Sequence, residues 1–121
     1  MKSVGVLSVK RDSADLSAMK TAIRALEKGE VLAVFPEGTR MSDPAMSFKE
    51  IKRGFILLAK KAGVPIVAAK IYGSEKAIPR DSSKINRGVE IKVFFSQPFT
   101  IGEDEDFNQA LGRLQTVLAQ L

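Results

Sequence analysis

The sequence predicts an α/β domain, a single layered unit with a mostly parallel central sheet flanked by helices. Three observations predict it. Residues Val31–Phe35 form an unbroken apolar run of five, a pattern that suits a strand covered on both faces. Strand-like and helix-period segments alternate from Val4 to the final leucine, Leu121. A segment of helical length joins the first two strand-like runs, and strands joined in this way lie parallel. At 121 residues the chain fits one domain with room for a core.

Taken in order, Val4–Val9 reads as the first strand, with Lys10, Arg11 and Asp12 at its end. Asp12 or Ser13 can cap the next helix, and Asp15 places negative charge in its first turn. Leu16, Met19, Ile23 and Leu26 recur at helical spacing and form one apolar face. Gly29 stops that helix, and Val31–Phe35 follows as the second strand, ended by Pro36. Residues 41–48 form a loop whose Met41, Met46 and Phe48 either fold back on the core or contact an acyl chain or bilayer. Ser47 and Glu50 have the spacing of a capping box for a second helix, with Ile51, Phe55, Leu58 and Ala62 on its apolar face. Gly63 and Pro65 end it. Gly54 inside it costs about 1 kcal/mol relative to Ala, so close packing or a nearby ligand is expected there.

Val64–Tyr72 reads as a third buried strand, ended by Gly73 and Ser74. Residues 74–88 form a long polar connection. Val89, Ile91, Val93 and Phe95 alternate with polar residues, which predicts a half-exposed strand near a sheet edge, with Phe94 breaking its polar side. The acids of Glu103–Asp106 precede a last helix with Phe107, Leu111, Leu114, Leu118 and Leu121 on one face.

Composition narrows the chemistry. The chain has no cysteine, so disulfides, Cys-based metal sites and Cys nucleophiles are excluded. It has no histidine, which removes the commonest general base and the commonest metal ligand. A net charge of +5 favours anionic partners: nucleic acid, phospholipid surfaces or phosphorylated metabolites. Seven Phe and one Tyr lie mostly at core spacing without a base-stacking signature, so a nucleic-acid partner is not expected. Met1-Lys2-Ser3 leads straight into a strand-like segment, with no signal peptide, and no apolar run approaches the ~20 residues of a membrane span. Membrane contact is therefore expected to be peripheral.

The candidate site follows the second strand. Glu37 is an acceptor, Gly38 permits close backbone approach, Thr39 offers a hydroxyl, and Arg40 offers a planar fork of donors that matches phosphate or carboxylate. In open α/β sheets ligands bind beyond the carboxyl ends of strands, which is where these residues fall. Arg11 stands at the corresponding end of the first strand. The bland alternative is a solvated turn with a surface Arg–Glu pair.

With these residues in view, the chain resembles the glycerolipid acyltransferase family, the 1-acyl-glycerol-3-phosphate acyltransferases in particular. Gly5-Val6-Leu7-Ser8-Val9-Lys10-Arg11 resembles a block ending in a substrate-binding Arg. Phe35-Pro36-Glu37-Gly38-Thr39-Arg40 matches the family's most specific block in type and spacing, and Val64-Pro65-Ile66-Val67 resembles a later one. The resemblance runs from about Gly5 to Phe99 and implies a glycerol-3-phosphate acyltransferase-like fold. It also implies transfer of a fatty acyl group from acyl-CoA or acyl carrier protein to lysophosphatidate, giving phosphatidate, without a cofactor or metal. Arg11, Glu37, Gly38, Thr39 and Arg40 are then the substrate-binding residues. The implied location is peripheral, on the cytoplasmic face of a membrane.

Two departures stand out. The family's H-x-x-x-x-D block, whose His is the general base, lies upstream of every block found here, and this chain has no His. No catalytic residue is therefore assigned in it. Residues 1–121 are expected to be a partial acyltransferase domain, inactive alone, with apolar surface uncovered around Val4–Val9 or Val31–Phe35. The family often has Gly where this chain has Ser96, before Pro98. A non-catalytic module binding anionic lipid or a phosphorylated metabolite is the competing expectation.

Overall fold

The structure, a computed structural model, describes Gly5 and residues 16–38, 53–79 and 84–121. Helix α1 spans Leu16–Glu27 and α2 spans Gly54–Ala62. Both end in the same way, and the reason is glycine. Gly29 (φ 81°) and Gly63 (φ 63°) take the left-handed conformation. In α1 the Gly29 N–H donates to the Leu26 carbonyl at 3.0 Å and Glu30 N–H to that of Ala25 at 3.0 Å. In α2 the Gly63 N–H donates to Lys60 at 3.3 Å and Val64 N–H to Ala59 at 3.2 Å. This paired pattern satisfies carbonyls that a helix end otherwise leaves open. Both stops fall where the sequence places them.

Among the described residues the sheet is a two-stranded antiparallel ribbon of β1, Ala69–Tyr72, and β2, Lys92–Phe95. Ala69 stands opposite Phe95, Lys70 opposite Phe94, Ile71 opposite Val93 and Tyr72 opposite Lys92. An isolated bridge, Ile66 with Phe99, extends the pairing. Between bridge and ladder, residues 96–98 face residues 67–68, so the β2 side carries one extra residue. Pro98 cannot donate to a ladder, and a bulge accommodates it. Ser96 stitches the gap: its hydroxyl accepts from Ala68 N–H at 2.9 Å, and its own N–H donates to the Ala68 carbonyl at 2.9 Å. Ser96 thus has a backbone-linking role at the position where the resemblance leads one to expect Gly.

Helix α3, Ser74–Ala77, is a short turn within the connection predicted to be irregular. Helix α4, Phe107–Ala119, begins with a capping box: Asp106 accepts from the Gln109 N–H at 2.9 Å, and the Gln109 side chain accepts from the Asp106 N–H at 2.9 Å. The core is centred on Ala68 and Leu114, with Phe55, Phe99, Leu111, Val117 and Leu118 packed around them. Helix α1 packs on α2.

Two expectations are corrected among the described residues. Val31–Phe35 carries no regular secondary structure and joins no ladder there, and it is not buried: Val31 is 96% and Phe35 73% exposed. Its side chains suit a buried strand, but a strand needs lateral neighbours to pair with, and its expected partner, Val4–Val9, lies outside the described residues apart from Gly5. The ladder that is described is antiparallel, so the parallel pairing rests on that undescribed neighbour. Finally, β2 is not half-covered: all four of its residues are exposed, Val93 at 45% and Phe94 at 43%, and Phe94 meets Tyr72 edge-on with ring centroids 5.8 Å apart. Alternation identifies two faces but does not say whether a neighbour covers either.

Gly73 (φ 87°) joins β1 to α3, and a Cβ added there would collide with the Glu90 carbonyl oxygen. Gly88 has a similar φ of 82°, with nothing within 4 Å of an added Cβ among the described residues. In urea denaturation Gly73→Ala should lower stability by about 1–3 kcal/mol, and by more than Gly88→Ala, which carries only the conformational cost of about 1 kcal/mol. Equal losses at the two positions would show that the Glu90 contact is irrelevant.

Candidate functional site

Residues Phe35, Pro36, Glu37 and Gly38 form a tight turn closed by the Gly38 N–H donating to the Phe35 carbonyl at 3.1 Å. Each residue has a reason to be there. Pro36 holds φ near the value the second position of such a turn requires. Gly38 takes φ 67°, a conformation costly for other residues. Glu37 is half-buried at the turn's corner. The turn follows the Val31–Phe35 run, and Thr39 and Arg40 come next in the sequence. Of the five predicted binding residues the structure describes Glu37 and Gly38, and they are adjacent in this turn. Arg11, Thr39 and Arg40 lie outside the described residues, as does any convergence of the two arginines on one anion.

The basic start of the second helix is described only at Arg53. Its guanidinium lies 4.7 Å from the centre of the Phe107 ring, a cation–π contact that ties α2 to the first residue of α4. Nothing in local spacing reveals a partner 54 residues away. Gly54 beside it is not explained by packing: an added Cβ meets nothing within 4 Å among the described residues.

A shallow concavity lies before α4, lined by Gly102, Glu103, Asp104, Glu105, Gln109 and Arg113. Its three carboxylates oppose an anionic ligand. Its one cation is already engaged, since Arg113 pairs with Glu105 at 2.8 Å and also donates to the Thr100 carbonyl. Lys60 reaches the same loop and donates to the carbonyls of Glu103 at 2.8 Å and Glu105 at 2.7 Å. These contacts hold the loop and do not form a phosphate site. Among the described residues, no group of acidic side chains is placed to hold a metal, and no helix is long and apolar enough to cross a membrane.

The Acyltransferase family profile matches residues 1–72, a span that contains the turn and reaches the end of β1. The chain belongs to the acyltransferase family. It is 30% identical over 100 residues to the chloroplastic 1-acyl-sn-glycerol-3-phosphate acyltransferase BAT2 of Brassica napus, covering 81% of this chain and 28% of that protein. It is 28% identical over 98 residues to the 1-acyl-sn-glycerol-3-phosphate acyltransferase of Bacillus subtilis, covering 81% of this chain and 45% of the relative. Its structure superposes with a TM-score of 0.72 on the crystal structure of the 1-acyl-sn-glycerophosphate acyltransferase PlsC of Thermotoga maritima. That match is at 27% identity and covers 87% of this chain and 44% of the other. The α/β fold class is thereby shared with a solved acyltransferase. The chain spans less than half the length of these relatives.

The turn makes a local prediction. Gly38→Ala should strain the turn by about 1–2 kcal/mol and speed amide exchange at position 38 roughly tenfold or more, whereas Gly38→Asn, which tolerates the left-handed region, should do so less. Unchanged exchange in Gly38→Ala would mean that the positive φ is not held in solution.

Proposed function

We propose that this chain supplies the acceptor-phosphate side of a 1-acylglycerol-3-phosphate O-acyltransferase acting in phospholipid biosynthesis. The observation that carries the reading is the closed Phe35–Gly38 turn within a family-matched segment that continues into Thr39 and Arg40. In this reading Arg11 and Arg40 bind the phosphate of lysophosphatidate through charge-assisted hydrogen bonds. Glu37 accepts a hydrogen bond from the glycerol portion, while Gly38 and Thr39 shape its seat. The free acceptor hydroxyl attacks the carbonyl carbon of an acyl thioester, from acyl-CoA or acyl carrier protein. A base takes the hydroxyl proton, the C–O bond forms, the C–S bond breaks, and the thiolate leaves and is reprotonated. Holding the acceptor at the thioester accounts for much of the acceleration. The thioester is a substrate, and the scheme calls for no cofactor and no covalent intermediate on the protein.

The base is the His of the H-x-x-x-x-D block that the resemblance places upstream, since this chain contains no His. The same absence favours a second reading, a non-catalytic module for anionic lipid or a phosphorylated metabolite. Restoring an upstream H-x-x-x-x-D segment separates the two readings, because only the first gains turnover. In this reading the chain works as a peripheral protein on the cytoplasmic face of a membrane, a setting in keeping with a lipid acceptor and a net charge of +5.

In the complete enzyme Arg40→Lys should lower kcat/KM for lysophosphatidate about 10- to 100-fold. Lys loses the bidentate fork, and a hydrogen bond to a charged group contributes about 1.5–3 kcal/mol. An unchanged kcat/KM at subsaturating acceptor would show that Arg40 does not hold the phosphate.

Residues 1–121 alone should form no measurable phosphatidate from lysophosphatidate and acyl thioester, because general-base catalysis contributes about 10²–10⁴-fold and the chain has no His to accept the hydroxyl proton. Robust turnover by the chain alone would move the search for a base to Glu37 and Asp12.

A further inference from the structure

The register of the ribbon sets Lys70 opposite Phe94 and Tyr72 opposite Lys92. Contacts put three of these on one face. Tyr72 meets Phe94 edge-on at 5.8 Å between ring centroids, and the Lys70 ammonium lies 5.2 Å from the centre of the Tyr72 ring. Lys92, directly across from Tyr72, joins them. Cations and rings thus alternate over two neighbouring cross-strand pairs. Tyr72 and Phe94 belong to different strands, so local sequence does not show them as a pair.

Neither ring belongs to the core around Ala68 and Leu114. Phe94 is 43% exposed and Tyr72 is half-buried. An edge-on contact engages one ring face of the pair and leaves the others to a flat partner. The cations keep their charge. Lys70 donates to the Leu118 carbonyl at 3.1 Å, which fixes the ammonium without neutralising it. Lys92 pairs with Glu90 at 3.3 Å, but both side chains are mostly exposed, and such pairs exchange at little cost. The patch lies at the carboxyl end of β1, which stops at Tyr72, and ligands of open α/β sheets bind at such ends.

The mixture of groups selects the ligand. A lipid phosphate would use the lysines and leave the rings without a partner. A run of bases needs a longer platform: two residues of strand span about 7 Å, room for one base with its phosphates beside it. A ligand that is aromatic and multiply anionic at one end matches both halves of the patch. Of the two acyl donors that the proposed reaction admits, CoA has such an end, an adenine carrying a ribose phosphate and a pyrophosphate. The phosphopantetheine arm of a carrier protein has no base.

We propose that Tyr72 and Phe94 stack the adenine of acyl-CoA while Lys70 and Lys92 hold its phosphates. This rests on the acyltransferase reading and deepens it by choosing the donor.

The chain has one tyrosine and no tryptophan, so its ultraviolet emission reports on Tyr72 alone. The test titrates the 121-residue chain with CoA, adenosine 3′,5′-bisphosphate, ATP, pantetheine and a short single-stranded oligonucleotide, following Tyr72 emission and the amide shifts of Lys92–Phe95. CoA and the bisphosphate should quench Tyr72 saturably, and pantetheine should not. Phe94→Ala and Lys92→Glu should each weaken CoA binding about tenfold or more, the scale of losing one stacked ring or one phosphate contact. Phe95→Ala, on the opposite face, should leave it unchanged. Should Phe94→Ala fail to fold, Lys92→Glu at its exposed position carries the test. Absence of saturable quenching by CoA overturns the inference, as does quenching by pantetheine equal to that by CoA, or binding that both variants leave intact. Tighter binding of ATP than of CoA would assign the patch to a free nucleotide, and tighter binding of the oligonucleotide to nucleic acid; either overturns it. Binding is read without turnover. Should the chain ignore CoA, and the enzyme with its H-x-x-x-x-D segment restored turn over acyl carrier protein, this inference fails and the acyltransferase reading stands. CoA binding alongside an unchanged kcat/KM in Arg40→Lys defeats the phosphate-site reading and leaves this one standing.

Discussion

The seating of Leu114 against Ala68 is the contact on which the described structure depends. A two-stranded ribbon of four residues per strand is not stable alone in water, so it must pack on a helix to persist. Burying a leucine stabilises by about 1.5–3 kcal/mol, and Phe55, Phe99 and Leu111 pack around the same point. The polar contacts follow from that seating. Lys70 reaches the last turn of α4, where a cation is favoured by the exposed carbonyls and the helix dipole. Lys60 and Arg113 fasten the loop that enters α4 from its other end. Three long cations thus spend their charge on backbone carbonyls around one helix.

What was legible in the sequence was mostly local. Gly29 and Gly63 stop helices because a left-handed residue is needed at that point, and the need is set within one turn of chain. The apolar spacing of α4 is equally self-contained, and Ala110 and Leu114 lie buried on that side. What was not legible depends on partners distant in the chain. Val31–Phe35 carries the composition of a buried strand, yet composition says nothing about whether neighbours are present. The alternation through Val93 and Phe95 predicts one covered side, yet all four residues of β2 are exposed. Ser96 was noted only as an unusual residue before Pro98, because its bond to Ala68 crosses 28 positions.

The candidate site divides along the same line. Pro36 and Gly38 specify a turn by their own backbone preferences, and the turn is there. The grouping of Arg11 with Arg40 is a statement about two strand ends, and local patterning cannot supply it. The general base is a different kind of absence: no reading of spacing recovers a residue type that the chain lacks.

Of the six most buried apolar residues described, four are alanines: Ala22, Ala59, Ala68 and Ala110. Alanine lets backbones approach closely but removes little hydrocarbon from water. Unfolding therefore exposes little new apolar surface, and the heat-capacity increment and the denaturant slope both scale with that surface. For the described part of the chain a shallow stability curve is the expected outcome, with transitions broad in temperature and in urea. Sharp, cooperative melting in this architecture comes from area buried between its parts.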